Sequence, residues 1–127
     1  MNKLKTPLAA PRKAPPLLPL KETGIVKAIL AYLSLRYKGR AFFWRNNSGA
    51  MKTEGGGFLK FGAVGSPDIL GILAPSGRLV GLEVKAPKGK LSPPQEAWLA
   101  EAAQLGALVG VVHSIDEAVA LIEGAKI

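Results

Sequence analysis

The chain has 127 residues, 48% of them apolar, enough for one compact domain and too few for two. It contains no Cys, so disulfides, a thiolate zinc site and a thiol nucleophile are excluded. The formal charge is +8 and unevenly spread: residues 1–90 hold 16 of the 17 Lys and Arg against four acids, and residues 91–127 hold one Lys against five. A basic surface of this kind concentrates polyanions, which puts nucleic acid first among possible partners and an anionic membrane surface second.

Residues 1–20, MNKLKTPLAAPRKAPPLLPL, carry five prolines, four basic side chains and no acid. They are predicted to form a mobile or polyproline-like arm that can touch phosphates through Lys3, Lys5, Arg12 and Lys13. The prolines break any apolar run that could serve as the core of a secretory signal. Nothing later approaches the ~20 apolar residues of a membrane span. The sequence therefore predicts a soluble, cytoplasmic protein whose folded domain occupies residues 21–127.

From Lys21 to Tyr37 the apolar spacing is helical, with Val26, Ile29 and Leu33 flanked by Ile25 and Leu30, and Gly39 follows as a stop. AFFWRN, residues 41–46, reads as a strand. Asn47 to Gly65 holds six glycines and is predicted to be a loop or a hairpin with a mobile tip. SPDILGIL and GRLVGLEVK then read as strands joined by the turn APSG, residues 74–77. LSPPQEAWLAEAAQLG is a helix with Ser92 as N-cap, Pro93 in the first turn, Gln95 at the capping-box position and Gly106 beyond its end. ALVGVVHS reads as a buried strand and IDEAVALIEG as a closing helix. The order α-β-β-β-α-β-α predicts an α/β fold, a mixed sheet with helices packed on it.

A symmetric APSG turn pairs residues whose numbers sum to 151, so Asp68 faces Glu83 across the hairpin. Two carboxylates so placed repel each other unless a proton or cation lies between them. Lys85 shares their face by strand periodicity. An oxygen-rich pair suits Mg²⁺ or Mn²⁺, and with a nearby ammonium it is equipment for phosphodiester hydrolysis. The opposite face, Ile69, Leu73, Val80, Leu82 and Val84, needs only packing.

GSPDILGI, GLEVKAPKGKLSPPQ and GALVGVVHSIDEA together resemble the VRR-NUC domain of the PD-(D/E)XK nucleases, in particular its small stand-alone phage and bacterial members. The resemblance implies a restriction-endonuclease-like core, dependence on Mg²⁺ or Mn²⁺, and action on DNA. It further implies a homodimer that cuts four-way junctions, with flap or general DNA cleavage as the alternative activity. A DNA-binding module that kept the fold without catalysis is the alternative from another class.

By position, the resemblance makes Asp68 and Glu83 the metal-binding acids, the Val84 carbonyl a further metal ligand, and Lys85 the catalytic lysine. Gln95 and Glu22 match catalytic-site positions, although the first also suits a capping box and the second a helix N-terminus. RNNSG looks like the family's R-x-N-x-G strand end, with Asn46 or Asn47 as the matching amide. Arg45, Asn46, Asn47, Lys52, Lys60, Lys88 and Lys90 are the predicted nucleic-acid contacts. Arg36, Lys38 and Arg40 are nearby in sequence as further phosphate binders. His113, the only His, lies far in sequence from the acids and is assigned no role. Trp98 and Leu99 are assigned to the core or to a dimer interface.

Overall fold

A computed structural model describes residues 22–47 and 49–125, with the backbone alone described at 49–52 and 58–61. The Pro-rich arm predicted at residues 1–20 lies outside the described residues. The elements are α1 (Glu22–Arg36), β1 (Ala41–Arg45), β2 (Gly49–Lys52), β3 (Phe58–Phe61), β4 (Ile69–Leu73), β5 (Arg78–Val84), α2 (Pro93–Gln104), β6 (Leu108–Val112) and α3 (Ile115–Glu123). A mixed sheet of order β1-β4-β5-β6 carries the fold, and β2 and β3 form a separate two-stranded ribbon. The α/β architecture predicted from the sequence is the one found, with the Gly-rich stretch taking its hairpin form.

The APSG turn sets the register as its length requires: Leu73 pairs with Arg78, Ile72 with Leu79, and Ile69 with Leu82. Gly77 closes the turn at φ +81°, a conformation that strains any residue with a Cβ. On the other side β1 runs antiparallel to β4, with Phe42 beside Ile72 and Arg45 beside Ile69. The polarity of β1 corrects one sequence expectation. Arg36, Lys38 and Arg40 precede the start of β1, next to Leu73 and the APSG turn, so they sit at the end of the sheet away from Asp68. Only Arg45 lies at the acids' end of β1, and by alternation it stands on the opposite face, the one shared by its partner Ile69 and by Phe43.

Alternation divides the sheet into two faces. Toward α1 and α3 point Phe43, Ile69, Leu73, Val80, Leu82, Val84 and Val112, all buried and packed with Ile25, Val26, Ile29 and Leu33 of α1 and Ala118 and Ile122 of α3. Gly71 and Gly110 lie on this face because their neighbours need the space: a Cβ on Gly71 would lie 2.5 Å from the Phe43 ring, and one on Gly110 would lie 3.0 Å from Leu121. β6, predicted to be buried, is a half-buried edge strand except at Val112, because no strand among the described residues pairs with its outer side.

The other face carries α2. It meets the sheet over Gly81, where a Cβ would lie 3.0 Å from Pro67 and 3.3 Å from the Trp98 ring. Ser92 and Gln95 close a reciprocal capping box, with Gln95 N–H donating to Ser92 Oγ (3.3 Å) and Ser92 N–H to Gln95 Oε1 (2.9 Å). The α2 face reads as three rows across the strands: Phe42, Ile72 and Leu79 nearest the APSG turn, then Trp44, Leu70 and Gly81, then Asn46, Asp68 and Glu83.

Candidate active site

The third row is where the ladder between β4 and β5 stops. Position 84 would pair next with 67, but Pro67 has no N–H to donate. The Val84 N–H instead donates to Asp68 Oδ2 at 2.8 Å. The Pro67 carbonyl is taken by the Asn46 amide, also at 2.8 Å. Pro67 thus ends the pairing at the point where Asp68 can turn its carboxylate across to β5. The Val84 carbonyl is left on the same edge as its N–H, with no backbone donor at the opposing position.

Glu83 is the one buried charged residue among those described, 3% exposed on a strand buried on both faces. Burial, and then the neighbouring Asp68 carboxylate with which it shares a hydrogen bond, raise its pKa to about 8. Lys85 works in the opposite direction, its Nζ 3.6 Å from Glu83 Oε2. Gln95 Nε2 donates to the same oxygen at 3.1 Å. The capping box and the contact with Glu83 are therefore not alternatives. The Gln95 carboxamide uses Oε1 for the first and Nε2 for the second.

Among the described residues, the hydrogen bonds donated to these two acids fall on one oxygen of each, Asp68 Oδ2 and Glu83 Oε2. The remaining oxygens, with the Val84 carbonyl, form a hard, oxygen-only donor set around a like-charge pair. That set fits a divalent cation of the Mg²⁺ or Mn²⁺ type.

Two features that the sequence reading assigned otherwise, or overlooked, hold this geometry. Asn46 is half-buried and donates to both Ser66 Oγ (2.8 Å) and the Pro67 carbonyl, while its backbone N–H bonds the Asp68 carbonyl at 2.8 Å. It fastens the Gly65–Asp68 loop to the end of β1, which leaves Asn47 as the exposed amide. Gly65, at φ +82°, brings that loop against the start of α2, where a Cβ would lie 2.3 Å from the Pro94 carbonyl oxygen. The signal for both lay in the G-S-P-D spacing, but their partners are distant in sequence.

Near this centre, Lys88 and Lys90 are exposed in the segment that follows β5, while Arg45 is exposed at the same end of the sheet on its other face. Lys52 and Lys60 stand on β2 and β3, and their side chains lie outside the described residues. Glu22, in the first turn of α1, places its Oε2 3.4 Å from where a Cβ on Gly89 would sit, a point 3.3 Å from the Lys85 Cβ. Glu22 is thus brought beside the segment that follows Lys85. His113 follows β6 and is adjacent to Lys85 in the parallel register, since Lys85 N–H bonds the Val112 carbonyl. Its ring Nδ1 lies 2.9 Å from Glu117 Oε1, so it is engaged with α3. Leu99 is buried and Trp98 half-buried, as their assignment to packing requires.

The mixed four-stranded sheet with helices on both faces is an α/β fold of the restriction-endonuclease-like type. The VRR-NUC domain family matches residues 59–116, which span β3 to the start of α3 and include Asp68, Glu83 and Lys85. Four chains of solved structures match, among them one described as a VRR_NUC domain, 26% identical, with a TM-score of 0.55, covering 84% of this chain and 100% of that one. The chain is thus similar to VRR-NUC domains in sequence over residues 59–116 and in fold over most of its length. A search of curated proteins finds no match. No helix among the described residues is long and apolar enough to cross a membrane.

Proposed function

We propose that the chain is a divalent-cation-dependent endonuclease that cuts branched DNA, acting as a homodimeric Holliday junction resolvase. The observation that carries the reading is the meeting of Asp68, buried Glu83 and Lys85 at one end of the sheet, within the segment matched by a nuclease family. The protein is placed in the cytoplasm, where a bacterial or phage-infected cell keeps its DNA.

In this reading Asp68, Glu83 and the Val84 carbonyl would hold Mg²⁺ or Mn²⁺. When bound, such an ion supplies Lewis acidity toward a phosphoryl oxygen and acidifies water. Lys85 lies beside Glu83 with its side chain 11% exposed, so its ammonium can orient the attacking water or meet charge growing on the phosphate. Gln95 holds the Glu83 carboxylate in place through the same oxygen, Oε2, that Lys85 approaches. Glu22, next to the segment after Lys85, would position water or DNA at the rim. Arg45, Asn47, Lys88 and Lys90, with Lys52 and Lys60 on the ribbon, would bind phosphates without reading bases. One such site cuts one strand, so resolving a junction takes two copies related by symmetry.

The test is cleavage of labelled duplex, flap and four-way-junction DNA with Mg²⁺, Mn²⁺ or a chelator. The expected result is paired cuts in opposing strands of the junction, lost in the chelator and in Asp68→Asn, while Asp68→Asn still binds the junction. Tight junction binding without cleavage in either metal would make the chain a non-catalytic module. Equal cutting of flap and junction would replace the resolvase reading with that of a general nuclease.

A further inference from the structure

Among the described residues, nothing covers the row of the α2 face nearest the APSG turn. Phe42 is 66% exposed and Ile72 42%, and Leu79, third in the row, opens into a groove of about 530 Å³ walled by Trp98 and Leu105 of the α2 end. Leu105 is itself 81% exposed. The surface is a projecting aromatic side chain at one end, an apolar groove at the other, and Ile72 between them. Arg40 lines the surface beside Phe42 with its guanidinium over the Tyr37 ring, 5.2 Å from the centroid, and the groove is lined by an acid, Glu101, and a base, Arg78.

We infer that this surface is where two copies of the chain pair, through a two-fold axis running parallel to the strands past Ile72. The inference rests on the dimer proposed above and names its interface. Knob and groove lie on opposite sides of Ile72, two strand spacings or roughly 9.5 Å apart. Rotation about that axis exchanges the two sides. It seats Phe42 of each copy over Leu79 and the groove of the other, and it brings each Arg40 toward the other copy's Glu101. A two-fold axis across the strands would instead set Phe42 on Phe42 and groove on groove, leaving the groove empty. An apolar centre with a rim of both signs is what a self-complementary interface requires.

The axis fixes where the two sites go. The acids lie two rows from Phe42 on the same face, about 13 Å along the strands. Rotation about an axis parallel to the strands keeps that coordinate, so both acid pairs fall at the same end of the dimer and open toward one DNA substrate.

The test is the solution mass of the full chain by sedimentation, which does not depend on catalysis. Wild type is expected to be a dimer at about 10 µM. Phe42→Glu and Leu105→Glu, both on exposed positions, should give folded monomers by circular dichroism. Arg40→Glu should weaken the dimer at least tenfold, and Arg40→Glu with Glu101→Arg should restore it. Because the chain has no Cys, Ile72→Cys should cross-link to itself through a short bis-maleimide, and Glu54→Cys on the ribbon should not. A wild-type monomer, a dimer indifferent to Phe42→Glu, or cross-linking confined to Glu54→Cys would overturn the inference. A wild-type monomer that cleaves DNA would leave the nuclease reading standing. A dimer that Phe42→Glu splits, in a protein without cleavage, would do the reverse.

Discussion

The two faces of β5 differ in what they ask of their side chains. Toward α1 and α3, Val80, Leu82 and Val84 are buried among apolar neighbours and contribute transfer free energy alone. Toward α2, the same strand offers a half-buried Leu79 beside a groove, a glycine that admits Trp98, and a buried carboxylate against another. Adjacent residues on one strand thus serve stability and chemistry separately. Mutations one position apart should therefore separate the two.

The largest effect is expected at Glu83. Glu83→Gln keeps the shape, removes an acid from the donor set and relieves the repulsion with Asp68, so cleavage should fall on the order of 10³-fold. The thermal midpoint of the chelated protein at pH 8 should hold or rise. Leu82→Ala, one residue away on the core face, should cost about 2–5 kcal/mol, read as a lower denaturant midpoint at unchanged slope. Its cleavage rate per folded molecule should stay near wild type. If Glu83→Gln unfolded the protein as Leu82→Ala does, the division between the faces would fail.

Gly65 tests how the α2 face is held together. Gly65→Ala adds a Cβ where φ is +82° and where the Pro94 carbonyl leaves no room. Loop and helix start must separate, at about 1–3 kcal/mol. Asp68 and Gln95 both depend on that contact, so kcat should drop by about tenfold or more while DNA affinity changes little. A loss of affinity with kcat intact would show that the loop serves DNA binding instead.

The central hairpin was legible in the sequence because a four-residue turn and a period of two leave one register, and that register brings Asp68 to Glu83. The helix boundaries of α2 were legible because capping is local. The polarity of β1 was not, since nothing local distinguishes which end of AFFWRN lies beside the turn, and Arg36, Lys38 and Arg40 were grouped with the acids by proximity in sequence. Asn46 read as a DNA contact because its partners, Ser66 and Pro67, lie 20 and 21 residues on. The open row at Phe42 was hidden too, because an aromatic strand residue looks the same in sequence whether a helix covers it or not.

Proton linkage sharpens the comparison further. Glu83 titrates at about 8 in the folded chain against an ordinary 4.5, so between those values the folded state holds a proton that the unfolded chain has released. The resulting stabilisation is complete below about pH 4.5 and is lost as pH rises through 8. In chelator, the thermal midpoint should fall between pH 5 and 9 more steeply for wild type than for Glu83→Gln. Added Mn²⁺ should raise it more at high pH than at low, because the ion competes with that proton. Parallel curves for the two proteins would remove the buried acid pair as the cause.

The smallest effect should come from Gln95, where capping and chemistry share one side chain. Gln95→Glu retains a capping-box acceptor for the Ser92 N–H and adds negative charge at a helix N-terminus, both favourable, so stability should move by no more than about 0.5 kcal/mol. The change replaces the Nε2 donor at Glu83 Oε2 with a third carboxylate, and kcat should fall about tenfold with KM for DNA little altered. Ser92→Ala does the converse. It removes the side-chain cap at about 1 kcal/mol and leaves the Ser92 N–H to hold the Gln95 carboxamide, so turnover should remain within about threefold. Measured together, stability falling in Ser92→Ala alone and turnover falling in Gln95→Glu alone would separate the two ends of one amide. Full activity in Gln95→Glu would reduce Gln95 to a cap, and Glu83 would then be held by Lys85 and Asp68 alone.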